Sequence, residues 1–247
     1  MRGWRKTRRF SQLSLALHCD ISPRHLSFLE SGRAKPSREM VLRLADCLEM
    51  PKPEINRTLL SAGFAPLYKS RPEDHADLAP VRQAIAALLE NHLPFPGLAL
   101  DRRWSITNAN EAALKLLGEA GFGGHTNLLE ALTDQAPENS AIINWEETVG
   151  LLLTRARAEM SSGGDDPILA GLVRDLETHF SRYAAGMDID RTQAIIPTRF
   201  EIGGRTLSLF STIAQFGTIQ DLALDDLKVE LMFPLDDVTK RYFQRLV

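Results

Sequence analysis

Apolar residues in the first 65 positions recur at helical spacing in short runs. Each run is opened by a serine or proline and closed by glycine, proline or a polar break. Leu13, Ala16 and Leu17 form an i, i+3, i+4 stripe behind Ser11, which predicts a helix through His18. Ser22–Pro23, a cap followed by proline at the first helical position, starts a second helix that ends at Gly32. Ser37 caps a third, with Met40, Val41, Leu44, Ala45 and Leu48 on one face. Pro51 and Pro53 open a fourth that runs through Leu60 and stops near Gly63. A short basic helix over residues 2–9 precedes them, so residues 1–65 read as a compact five-helix bundle.

Beyond Gly63 the pattern changes. PLYKSRPEDHAD, residues 66–77, is polar with two prolines and reads as a linker. An amphipathic helix is predicted over 79–92, then two strands, 97–100 and 104–107, around a turn at Asp101–Arg102. Helix returns over 109–117, followed by a loop at 118–126 and helices near 139–160 and 167–185. Alternating apolar positions on both sides of Gly203–Gly204 signal a hairpin. A strand at 227–233 and a helix at 235–246 close the chain. Two strands, several helices and three more strands make residues 78–247 one α+β domain.

Charge divides the chain at the same place. The net charge of −3 conceals 12 Lys+Arg against 6 Asp+Glu in residues 1–65, while the remainder has an acidic excess of 9. A basic first module suits a polyanionic partner, and the acidic remainder implies a separate task. No run approaches the 18 or so apolar residues of a membrane span. MRGWRKTRRF lacks the apolar core of a secretory signal. Cys19 and Cys47 fall inside helical patterns, as expected of reduced, packed thiols in a cytoplasmic protein.

The stretch SQLSLALHCDISPRHLSFLESGRAKPS has the features of a helix-turn-helix. Ala16 is small where the second helix must come close, and Ile21 plugs the corner. Leu26 and Leu29 face the bundle. Arg24, His25, Ser27 and Phe28 then project outward from the N-terminal half of the second helix, which starts at Ser22. Gln12, at a helix N-terminus, is placed for phosphate, and Arg33, Lys35 and the cations Arg5, Arg8 and Arg9 for backbone charge. These residues resemble the XRE/Cro-repressor family of DNA-binding domains. The resemblance implies a lambda-repressor-like bundle on double-stranded DNA, with Arg24, His25 and Ser27 at base edges in the major groove. Asp20 departs from the family's usual turn glycine, and the first helix is short at its N-terminal end. A small helical bundle with a solvated polar face is the plain alternative.

Residues 78–247 carry little overt chemistry. The six histidines show no metal-binding spacing, GFGG at 121–124 lacks the Lys-Ser/Thr of a phosphate loop, and no nucleophile motif occurs. Asp165–Asp166, Asp188–Asp190 and Asp225–Asp226 read as caps and turns. No catalysis, metal or cofactor is expected. LDRRWSITNANEAALKLLG, NLLEAL and NWEETVGLLLTRARAE resemble the ligand-binding domain of MmyB-like transcription regulators, a PAS-like fold found after XRE-type domains. The implied architecture is an antiparallel sheet flanked by helices, enclosing an apolar cavity for a small, fatty-acid-like ligand. Candidate lining residues are Leu129, Trp145, Val149 and Leu152 on helices, with Phe180, Phe200 and Phe210. Trp145 is the foremost of them because its indole N–H offers a polar handle. Ordinary core packing is the alternative for each. Asn108 and Asn110 read as helix caps, and Arg155 and Arg157 as solvated or at a pocket mouth.

The expected protein is a homodimeric, ligand-responsive transcription regulator with no membrane segment. A C-terminal domain that only dimerises or docks a protein partner is the alternative. An enzyme lacks a clustered ionisable site, and an antitoxin would be shorter.

Overall fold

The computed structural model describes residues 1–72, 74–184, 194–217, 220–225 and 227–245 of the 247-residue chain. Asp188, Asp190 and Asp226 lie outside the described residues. The chain forms two compact units. The first holds Met1–Arg71 with short segments at 162–165 and 220–223, and the second holds the rest.

Five helices build the first unit: α1 (Arg2–Thr7), α2 (Gln12–His18), α3 (Pro23–Glu30), α4 (Arg38–Cys47) and α5 (Lys52–Ser61). Serine caps start α2, α3 and α4. Ser11, Ser22 and Ser37 accept the backbone N–H of Ser14, His25 and Met40, satisfying donors that a first turn leaves unpaired. Asp20 takes the turn at φ +52, the left-handed conformation that aspartate tolerates without glycine. One predicted face is corrected. Leu13 and Leu17 are 58% and 70% exposed, and α2 instead buries Leu15, Ala16 and, just past its end, Cys19. Both stripes have helical spacing and share Ala16, so only packing against α3 and α4 chooses between them. Leu26, Val41, Leu44, Ala45, Leu48, Ile55 and Leu59 complete the core. Burial, then contact with Cys47, pushes the Cys19 thiol up to about 12 and leaves it inert.

In the second unit, α6 (Ala79–Asn91) leads into β1 (Gly97–Leu100), β2 (Ile106–Ala109), α7 (Glu111–Glu119), α8 (Leu128–Asp134), α9 (Trp145–Gly163) and α10 (Pro167–Tyr183). The chain finishes with β3 (Thr198–Ile202), β4 (Arg205–Gln215), β5 (Lys228–Pro234) and α11 (Asp237–Gln244). The five strands lie in the order β2-β1-β5-β4-β3, each pair antiparallel, so the last strand is central. This is the α+β domain that the strand and helix pattern predicts, with the helix-flanked antiparallel sheet that the resemblance implies. Buried Asn110 joins its parts. Its Oδ1 accepts the N–H of Ala113, capping α7, and of Gly97 on β1. Its Nδ2 donates to the carbonyls of Leu89 and Phe95. Asn108, by contrast, is a β2 residue.

Three local predictions differ from the structure. The second strand starts at Ile106, because Trp104 sits at φ +67 in a turn whose Asp101 carboxylate accepts the N–H of Arg103 and Ser105. Helix α8 occupies residues between the predicted loop and the next helix; Asn127 caps it, accepting from Leu129 and Glu130. Helix α9 begins at Trp145 because Ala141 and Ile143 spend backbone hydrogen bonds on Glu201 and Arg199 of the β3 edge.

The β3–β4 turn needs φ of +57 and +71 at Gly203 and Gly204, and a Cβ on either would meet nothing within 4 Å. The penalty for a side chain there is therefore purely conformational. Gly204→Ala should destabilise by about 1 to 2 kcal/mol in urea unfolding monitored by circular dichroism, with the folded spectrum unchanged.

Candidate nucleic-acid interface and candidate ligand cavity

Helix α3 is held by its last residue. Glu30, almost fully buried, accepts two hydrogen bonds from the Arg5 guanidinium, Nε to Oε1 at 2.7 Å and Nη2 to Oε2 at 2.8 Å. Arg5 also donates to the carbonyl of Phe10, and Gln12 Nε2 donates to Glu30 Oε2 at 2.8 Å. One carboxylate thus ties α1 and α2 to the end of α3. The Arg5 hydrogen bonds hold the Glu30 carboxyl below the usual carboxylate range, and Glu30 in turn raises Arg5. Arg8 is equally structural, donating to the carbonyls of Leu48 and Glu49 at the end of α4. These partners occupy two cations and the glutamine expected to face phosphate; Arg9 is exposed, at φ +58.

With its inner side packed, α3 presents Arg24 to solvent, and its guanidinium lies 5.3 Å from the Phe28 ring centroid. His25, Ser27 and Phe28 are half-buried on the same helix. Ser22 is exposed, but its hydroxyl is engaged as the cap. Gly32, at φ +74, turns the chain so that exposed Arg33 and Lys35 follow the helix. Among the described residues Arg24, Arg33 and Lys35 form no ion pair. The fold therefore leaves three cations available around one exposed helix.

In the second unit a cavity of about 100 Å³ lies between the sheet and helices α7, α8 and α9. Its walls are mostly apolar: Leu98 from β1, Leu116 and Leu117 from α7, Leu132 from α8, Leu152 from α9 and Phe200 from β3. Thr148, Thr198 and Glu230 are its polar contributions. Of the seven residues expected to line a cavity, Leu152 and Phe200 do. Leu129 and Val149 are fully buried core outside the lining. Trp145 stacks on Phe180 with ring centroids 5.8 Å apart, beside His179 and Tyr183 and away from the cavity lining. Phe210 pairs in register with Phe233 and stacks on it, while Phe200 pairs with Leu207. Strand alternation puts 207 and 210 on opposite faces, so Phe210 lies on the far side of the sheet.

A charged cluster adjoins this cavity, and of its members the sequence singles out only Arg155, as solvated or at a pocket mouth. Lys228 is 1% exposed; its Nζ lies 2.5 Å from Glu159 Oε2 and 3.8 Å from the centroid of the Trp104 ring. Arg155 lies 4.6 Å from the same ring, donates from Nε to Glu159 Oε1 at 3.0 Å and approaches Glu230 at 3.8 Å. Burial pushes the Lys228 ammonium below the usual lysine range, against the pull of Glu159. The available signals were the i, i+4 spacing of Arg155 and Glu159 and the alternation of Lys228, Glu230 and Met232 on one strand face.

Comparison with known proteins agrees with both halves. Residues 1–55 match the helix-turn-helix family model, and residues 81–246 match that of the MmyB-like transcription regulator ligand binding domain. No curated protein matches the chain. No described helix is long and apolar enough to cross a membrane.

Removing one member of a buried pair strands the other. Glu30→Gln should cost about 3 to 5 kcal/mol in denaturant unfolding of the first unit. Because the folded-state pKa of Glu30 is depressed, its contribution is complete above about pH 5 and is lost as pH falls through the depressed value. Wild type should therefore lose stability on acidification more steeply than Glu30→Gln.

Proposed function

The chain belongs to the MmyB-like transcription regulators, and on that premise we propose that it grips operator DNA as a cytoplasmic homodimer under the control of a small apolar ligand. The observation that carries this reading is the apolar cavity in the same chain as an exposed α3 around which Arg24, Arg33 and Lys35 form no ion pair among the described residues. Arg24, His25 and Ser27 contact base edges, with Arg24 bidentate to guanine as the chief source of discrimination. Ser22 and Phe28 flank these contacts, the cap setting where α3 begins and the ring bracing the Arg24 guanidinium. Arg33 and Lys35 neutralise phosphates. Gln12 contributes from α2, and reaching phosphate requires it to exchange Glu30 for the DNA backbone.

The ligand is fatty-acid-like in having an apolar body, and Leu152 and Phe200 are among the residues that hold it. Leu129, Trp145, Val149, Phe180 and Phe210 support the fold around the site and do not touch ligand. The ligand prefers one arrangement of the second unit, and that preference shifts the spacing of two α3 helices across half-sites about 34–36 Å apart. The protein works by binding and release, without a chemical step.

Binding sites selected from random-sequence DNA test the first half. Arg24→Ala should flatten the selected preference by about 1 to 3 kcal/mol per contacted base pair while leaving nonspecific affinity nearly unchanged. Arg33→Ala and Lys35→Ala should each lower the slope of log affinity against log salt by about 1, without changing preference. Sedimentation with operator DNA should show two chains per site; one chain would sink the dimer. For the ligand half, small molecules carried through purification should appear in native mass spectra. Leu152→Phe, which narrows the cavity, should deplete them and weaken their effect on DNA affinity. Retention of the effect in Leu152→Phe would favour a second unit that serves only dimerisation or partner docking.

A further inference from the structure

The charged cluster of Lys228, Glu159, Arg155 and Glu230 borders more than the apolar cavity. A second cavity, of about 210 Å³, lies beside the apolar one, and Thr148, Leu152, Thr198 and Glu230 line both. Its remaining walls include Trp104, Arg155 and Ser211. Three polar atoms of these walls are buried and meet no hydrogen-bond partner among the described residues: Arg155 Nη2, Trp104 Nε1 and Thr148 Oγ1. Buried polar groups are almost always satisfied, so three such atoms around one cavity mark a place where a polar group binds. Two of the three, the guanidinium and indole N–H groups, can only donate, so the incoming group must accept. Trp104 is also held at φ +67, a strained backbone of the kind that collects at binding sites.

Charge decides what kind of acceptor fits. Arg155 and Lys228 are matched by Glu159 and Glu230, and Ser211 Oγ donates to Glu230 Oε1 at 2.6 Å. The four charges sum to zero. A carboxylate would add an unmatched negative charge beside the mostly buried Glu230, which is costly; an uncharged acceptor would not. The apolar cavity, at about 100 Å³, is smaller than the roughly 150 Å³ space that holds benzene, so the apolar end is short.

Resting on the reading of this cavity as the ligand site, we infer that it takes a short acyl or alkyl chain ending in an uncharged hydrogen-bond acceptor, such as an amide, ester or alcohol, in preference to a free fatty acid. The chain lies against Leu152 and Phe200, and the acceptor meets Arg155 Nη2 and Trp104 Nε1.

Pentanamide and pentanoate share a chain and differ in head-group charge, so they test this directly by isothermal titration of the full-length protein at neutral pH. Pentanamide should bind wild type at least about tenfold more tightly than pentanoate. It should also move the indole N–H proton resonance of Trp104, assigned with Trp104→Phe, downfield. Arg155→Met should weaken pentanamide about tenfold. Glu230→Gln, nearly isosteric, removes one negative charge and should strengthen pentanoate about tenfold while changing pentanamide little. Equal or tighter wild-type binding of pentanoate, or no gain in Glu230→Gln, overturns the assignment. If pentanoate wins and Leu152→Phe abolishes its binding, the cavity reading stands and the uncharged head group falls. Binding of neither compound at millimolar concentration overturns both.

Discussion

The second unit is organised around one buried charge. Lys228 opens the central strand of the sheet and is shielded from water, so its ammonium must find compensation within the protein. Glu159 reaches it from α9, and the Trp104 ring lies against it from the β1–β2 turn. Arg155, one helical turn before Glu159, shares the same carboxylate and the same ring. Strand, helix and turn are thereby fixed to one another by a single set of electrostatic contacts. Such a cluster adds little to net stability over an apolar core of equal volume. It does define where α9 lies on the sheet, and the cavity is the space that this placement leaves open.

The first unit solves the same physical problem with the opposite sign. Glu30 is the buried charge, Arg5 its partner, and Gln12 completes the coordination. The pair lies at the end of α3, so the helix that faces solvent is anchored at the end away from Arg24. Arginine suits this position because its planar fork meets both carboxylate oxygens at once. The consequence for function is a division of labour among basic residues. Arg5 and Arg8 are used up in holding the bundle, whereas Arg24, Arg33 and Lys35 remain available to a polyanion. A count of positive charge along the chain cannot separate these groups, since the distinction depends on which cations meet a buried acceptor.

Much of the architecture was legible because it rests on local chemistry. Serine and proline at helix starts, glycine pairs at a hairpin and a shift from helical to alternating periodicity depend on neighbours a few residues away. The same locality made the corner at Asp20–Ile21 readable. Misreadings occurred where a local pattern was ambiguous or was overridden. Two apolar stripes on α2 shared Ala16, and a strand-like run at Trp104 was broken by a carboxylate, Asp101, that captured two backbone N–H groups. The cavity was harder still. Large apolar residues on α9, α10 and the strands have equal claims by pattern, yet Leu152 and Phe200 face the open space while Trp145 and Phe180 stack on each other.

Residue order along the chain was therefore sufficient for most helix starts, the helix-turn-helix and the acidic α+β remainder. Those features follow from capping, periodicity and charge, all read over short distances. Tertiary structure alone decided that the last strand enters the middle of the sheet, beside β1 more than a hundred residues earlier. It also decided that Phe210 lies on the far face and that Lys228, Glu159, Arg155 and Trp104 meet. Burial, charge compensation and strand register are set by partners distant in sequence, and no short window of the chain contains both members of such a pair.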